Sequence, residues 1–207
     1  PTTMPRLLPP PKPEILALPA YPGIGADAIV QPRSDAALAQ AMDDLGRQGH
    51  IGFDTESRPI FTKGQQSTGP DVVQFATPER AYVLQLQHPG CEALVRTVLA
   101  DVRLVKVGFD LQQDLGQLRR RLGLEVAPLL DLTHVFHRMG YVRTLGIQSA
   151  VAVVFGQRLA KSKRVTTSNW SNATLEPRQL LYAANDAYVA LQVWQALRHL
   201  APATPGQ

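Results

Sequence analysis

The apolar run HIGFDTE, residues 50–56, reads as a core strand, yet it ends in two carboxylates one residue apart. Strand side chains alternate between the faces of a sheet, so Asp54 and Glu56 point one way while Phe53 and Thr55 take the other. Acids at the end of a buried strand are unfavourable unless something cationic or hydrogen-bonding meets them. The chain is thus expected to carry a sheet with this strand inside it and a polar or cationic site at the strand's end.

The segments around this strand extend the pattern. AIVQ reads as a short strand, and SDAALAQAMDDLGRQG as a helix capped by Ser34 and closed by Gly49. VVQFAT and AYVLQLQ, separated by the turn PER, follow HIGFDTE as strands of an antiparallel meander. Strand–helix units come next: EALVRTVLA helical, VRLVKVGF extended, then the helix DLQQDLGQLRRRLG with Asp110 as N-cap and Gln113 completing a capping box. APLLD is a further strand, followed by two helical stretches, a basic connector, and a long helix from about Leu175 to Leu200 capped by Thr174. The pattern predicts an α/β fold: a mixed sheet, antiparallel meander plus parallel strands, flanked by helices.

With 207 residues, one domain with a sizeable core is the simplest division. Residues 1–24 read as a Pro-rich, extended leader, since eight of the 17 prolines fall within the first 22 residues. Residues 25–201 form the folded domain, and 202–207 a tail. No apolar run reaches the roughly 18 residues that span a membrane, and so many prolines exclude a secretory h-region. The lone Cys91 forms no internal disulfide and no thiolate cluster, so a cytoplasmic setting is expected. The net charge of +4 favours an anionic partner. The charge is concentrated in Arg119–Arg121 and in RLAKSKR, residues 158–164, runs that also suit ordinary solvated faces.

Three places carry candidate chemistry. Two like charges about 4 Å apart cost about 4 kcal/mol at an effective dielectric near 20, a cost that hard cations such as Mg2+ or Mn2+ would remove for Asp54 and Glu56. Local hydrogen bonds to two exposed acids are the alternative. Asp114 lies in the first turn of a helix leaving a central strand, where the helix dipole already favours an anion and where ligands of α/β sheets collect. In the last helix Tyr182 and Asp186 are i and i+4 neighbours, which suits either an ordinary hydrogen bond or a shared role. His134 and His137, three apart without a third ligand, read as ordinary helix residues.

Taken in order, FDTE, GFDLQQDL and YAANDA resemble the three motifs of the DEDDy 3′–5′ exonucleases, the group of RNase D and the Werner-syndrome-type exonuclease domain. Asp54 and Glu56 match the first motif, Asp114 the second, and Tyr182 with Asp186 the third. KSKRVTTSNWS also resembles the segment those enzymes carry before their last helix. The resemblance covers roughly residues 27–200. It implies a ribonuclease H-like fold and two divalent cations, Mg2+ or Mn2+, held by the four carboxylates. One ion would activate a water and the other steady the leaving 3′ oxygen. Asp54 would bridge both, Glu56 and Asp186 would complete the nucleophile side, and Asp114 would serve the other ion through water. Tyr182 would orient the attacking water.

The partner so implied is nucleic acid with a single-stranded or frayed 3′ end, DNA or RNA; no motif names a protein partner. The expected substrate contacts are Thr55, the basic residues Lys161, Lys163 and Arg164, Asn169, and the aromatics Phe109, Phe61 or Trp170 as base-stacking platforms. Core packing is the alternative for each aromatic. No helicase segment or helical nucleic-acid-binding domain follows, so grip is expected from this domain, its leader or a partner. A non-catalytic binding module of the same fold, or a relative that cuts internally or degrades very short oligonucleotides, would present a similar pattern.

Overall fold

The computed structural model describes residues 6–60, 64 and 67–200. Six strands form one mixed sheet: β1 (Ile29–Val30), β2 (His50–Glu56), β3 (Val72–Ala76), β4 (Ala81–Gln85), β5 (Val105–Gly108) and β6 (Leu129–Asp131), in the order β1-β4-β3-β2-β5-β6. β2, β3 and β4 form the expected antiparallel meander. β1 joins β4, β5 joins β2 and β6 joins β5, all in parallel. Parallel neighbours need a crossover, and α3 (Cys91–Ala100) and α4 (Gln112–Leu122) lie in those connections. β2 therefore sits at the centre, between an antiparallel and a parallel neighbour.

Both faces of the sheet are covered. On one, α2 (Asp35–Gly46), α3 and α4 enclose Ile51, Phe53, Phe75 and Leu84. On the other, α8 (Pro177–Leu200) lays Ala183, Ala184 and Ala187 against Val72, Ala76 and Val83. α5 (Leu132–Arg138) and α6 (Ile147–Phe155) extend that layer over Val107. Among the described residues no helix is long and apolar enough to cross a membrane.

Several local details differ from the sequence reading. Ser34 does cap α2, its hydroxyl accepting from the Ala37 N–H at 3.2 Å, but the helix stops at Gly46, short of Gly49. Asp110 does not cap α4: it is exposed with φ of 52°, and the helix starts after Leu111. A side chain at the end of the neighbouring strand takes over, since the Asp131 carboxylate accepts from the backbone N–H of Asp110 (3.1 Å) and Leu111 (3.0 Å). Thr174 is likewise not a cap; at the start of α8 the Gln179 side chain accepts from the Glu176 N–H at 2.9 Å. The leader is not extended throughout either. Its middle forms the helix α1 (Lys12–Ala17), with proline in the first turn, where a missing N–H costs nothing. A four-residue helix, α7 (Lys163–Thr166), interrupts the basic connector.

Candidate active site

β2 delivers Asp54 and Glu56 to the face covered by α8, and α8 can come unusually close there because residue 52 is glycine. A Cβ on Gly52 would lie 1.9 Å from the Ala187 carbonyl oxygen. That close approach brings Asp186, which is 6% exposed, onto the two strand carboxylates. Ligand oxygens of Asp54, Glu56 and Asp186 all lie within 4.8 Å of one another. Asp114 stands outside this cluster. It approaches from the opposite face of β2, where the Thr55 hydroxyl donates to its carboxylate.

So many acids in one buried place disturb one another. Burial is the main reason that the Asp54 and Glu56 carboxyls titrate well above the usual range. Repulsion from Asp186 and Asp114 adds to it for both. Burial also pushes Asp114 up to about 6, against the Thr55 hydrogen bond, and raises Asp186 despite its cationic neighbour. That neighbour is Lys161, whose Nζ lies 2.8 Å from the Asp186 carboxylate and 4.8 Å from the centre of the Tyr182 ring. Burial opposes the Lys161 charge, but Asp186 and Tyr182 outweigh it and hold the ammonium well above its ordinary value. One lysine offsets one carboxylate. At separations near 5 Å each remaining like-charged pair costs on the order of 3 kcal/mol at an effective dielectric of 20.

The donors fit hard divalent cations: they are carboxylate oxygens, the ligand type of Mg2+ and Mn2+. A second observation agrees with this fit. Gln74 pairs with Asp54 across the strands and is fully buried, yet neither its amide oxygen nor its nitrogen has a hydrogen-bond partner. Such orphans are rare and point to water or an ion that would complete them. Nothing in the sequence reading singled out Gln74; its signal is a lone amide inside the apolar strand VVQFA. Asp131, which organises the start of α4, was missed for the same reason as the Asp110 cap: its partners are about 20 residues away.

Tyr182 is half-buried one helical turn from Asp186. Its hydroxyl accepts from Thr166 Oγ1 at 2.9 Å, and burial followed by the Asp186 charge raises its pKa, keeping it a protonated phenol. Lys163 and Arg164 are exposed on α7, on the connector leading to the cluster. Asn169 is exposed but engaged locally with Asn172 and Ser171. Phe109 is half-buried, stacked on Phe136 with centroids 6.4 Å apart. Trp170 is a correction. Its side chain is 0% exposed and its Nε1 donates to the Thr166 carbonyl, so neither ring face is available to a base. It packs instead beside Tyr182, with centroids 6.1 Å apart. Thr55, 8% exposed, holds Asp114 and presents little surface to a substrate. Phe61 lies outside the described residues.

Comparison with known proteins gives this geometry a context. A family model described as 3′-5′ exonuclease matches residues 29–201. The chain is 28% identical over 152 residues to the mouse bifunctional 3′-5′ exonuclease/ATP-dependent helicase WRN, covering 72% of this chain and 11% of that protein. It is 28% identical over 158 residues to a 3′-5′ exonuclease of Arabidopsis thaliana, covering 75% of this chain and 55% of that one. The matches thus span about half or less of the length of these relatives. Among solved structures, Trypanosoma brucei RNase D in complex with RNA U12 superposes with a TM-score of 0.71 at 21% identity, covering 89% of this chain and 64% of that chain. That likeness extends the ribonuclease H-like fold to this chain.

Proposed function

The chain belongs to the 3′-5′ exonuclease family, and from that membership we propose that it releases nucleoside 5′-monophosphates one at a time from the 3′ end of a DNA or RNA strand. Residues 25–201 are the exonuclease domain in this reading. The observation that carries it is the convergence of Asp54, Glu56 and Asp186, from β2 and α8, within 4.8 Å of one another. Asp54, Glu56, Asp114 and Asp186 would hold two divalent ions, Mg2+ or Mn2+. When bound, such ions supply Lewis-acid stabilisation of the phosphoryl oxygens and lower the pKa of water.

The chain's own residues supply the rest. The reaction breaks the bond from phosphorus to the 3′ oxygen of the penultimate nucleotide while a water oxygen bonds to phosphorus from the opposite side. Tyr182 accepts from Thr166 and donates toward the Asp186 carboxylate, and its O–H would turn to the attacking water to fix its direction. As a phenol with a raised pKa it positions rather than deprotonates. Lys161 adds the charge that balances the site: four carboxylates, two divalent ions, one ammonium and one phosphodiester sum to zero. A T. brucei RNase D solved with RNA supports a nucleic-acid substrate.

A 5′-labelled oligonucleotide, offered as matched DNA and RNA with Mg2+ or Mn2+, tests the proposal. A ladder shortening from the 3′ end is expected, abolished by EDTA and by Asp54→Asn with the fold retained. A single internal cut, or wild-type rates from Asp54→Asn, would contradict it.

A further inference from the structure

Residues 6–24 precede the stretch that the family model matches, and they are tied to the rest of the chain along their length. Leu7 N donates to the Gly140 carbonyl at 2.9 Å, and Val142 N to the Leu7 carbonyl at 3.1 Å. Further on, Arg158 N donates to the Pro19 carbonyl (2.8 Å) and Tyr21 N to the Arg158 carbonyl (2.9 Å). The Asn185 side chain, next to Asp186, accepts from Ile24 N at 3.0 Å. The leader is a strap across the domain, with α1 between its anchors.

Beneath α1 lies a groove of about 510 Å³, within the size range of small-ligand sites. Lys12, Ile15 and Leu16 line it from the leader, and Gln148, Arg158 and Lys161 from the body. Three of its lining residues are cationic and none is acidic. Arg158 Nε is buried without a hydrogen-bond partner, an unmet donor on this wall. Residues 159–161 also line a second cavity, of about 360 Å³, that contains Tyr182 and Asp186. Lys161 is thus at the junction of the groove and the carboxylate cluster.

We propose that this groove, walled by α1, is a backbone-phosphate site for the substrate strand upstream of the scissile bond. It rests on the nuclease reading above. Lys12 and Arg158 would pair with phosphodiester oxygens, while Ile15 and Leu16 offer apolar surface to sugars and bases. The groove adjoins the cavity that holds Tyr182 and Asp186 through residues 159–161, which favours a polymer reaching from one to the other over a free anion.

The test is the Kd of a fluorescently labelled single strand of about 12 nucleotides, within the range of sites on such surfaces, measured in EDTA over a series of salt concentrations. Lys12 is exposed, so Lys12→Glu leaves the fold intact, and Arg158→Gln keeps the backbone groups that anchor the leader. Each variant should weaken binding roughly tenfold, as expected for one charge-assisted contact. Each should also flatten the dependence of log Kd on log salt by about 0.7. Unchanged affinity and slope in both variants would overturn the groove. Weakened binding in an enzyme that cleaves nothing with Mn2+ would sink the nuclease reading and leave the groove standing. Normal cleavage with binding indifferent to both variants would sink the groove alone.

Discussion

Asp186 is held between a half-buried ammonium and two half-buried carboxylates, and Tyr182 shares both its helix face and its lysine. The phenol oxygen accepts from Thr166 Oγ1, and Tyr182→Phe removes that oxygen while keeping the ring, so the change tests chemistry with little effect on packing. Tyr182→Phe should lower kcat by roughly 10²–10⁴, the range for a positioned proton-handling group, while leaving strand affinity in EDTA unchanged. An unchanged kcat would assign Tyr182 to packing against Trp170. At this scale Asp54, Glu56 and Asp186 were legible in the sequence because each is anomalous where it stands: acids ending an apolar strand, an acid inside an apolar helix. Asp114, an ordinary first-turn acid, was marked only by its place in the motif order. Of the two readings open to Trp170, core packing holds, because the connector folds back and buries the ring under α8. Gln74 and Asp131 act through partners distant in sequence, and no local pattern marks such residues.

Among the elements, the contact between β2 and α8 sets the site. Helix and strand backbones meet closely only because Gly52 lacks a side chain. Gly52→Ala must push α8 outward or bend β2, since the obstructing atom is a backbone carbonyl and cannot rotate away. Overpacking of this kind costs about 1–3 kcal/mol. The midpoint of urea unfolding should fall accordingly, and Mn2+ affinity should fall as well because Asp186 moves with the helix. A stability loss with unaltered Mn2+ affinity would show that the helix position does not set the cluster. Strand and helix types were readable from periodicity, which reports the burial of whole faces. The cap of α4 was not, because Asp131 outcompetes Asp110 from the adjacent strand. The helix inside the leader was hidden by its prolines, which are tolerated at a first turn.

Over the whole molecule, the cluster should make stability depend on pH and, on the proposed reading, on divalent ions as well. Burial, with repulsion from neighbouring acids, raises Asp54 and Glu56; burial alone raises Asp186, and burial chiefly brings Asp114 to about 6. Each binds its proton more tightly folded than unfolded, so protonation favours the fold. That contribution is fully present below about pH 4, where the unfolded carboxyls titrate. It is lost as pH rises through about 6 and beyond. In EDTA the Tm should therefore decline across this interval, and saturating Mn2+ should restore it most at the alkaline end. A Tm in EDTA that climbs over the same interval would contradict the account. The leader's course across the domain belongs to this scale as well, and its pairings to residues 140–142 and 158 are too remote for any sequence pattern to show. The most direct measurement is anomalous diffraction from crystals soaked in Mn2+. Two peaks among the oxygens of Asp54, Glu56, Asp114 and Asp186 are expected; no peak there, or ions bound only elsewhere, would contradict the central claim.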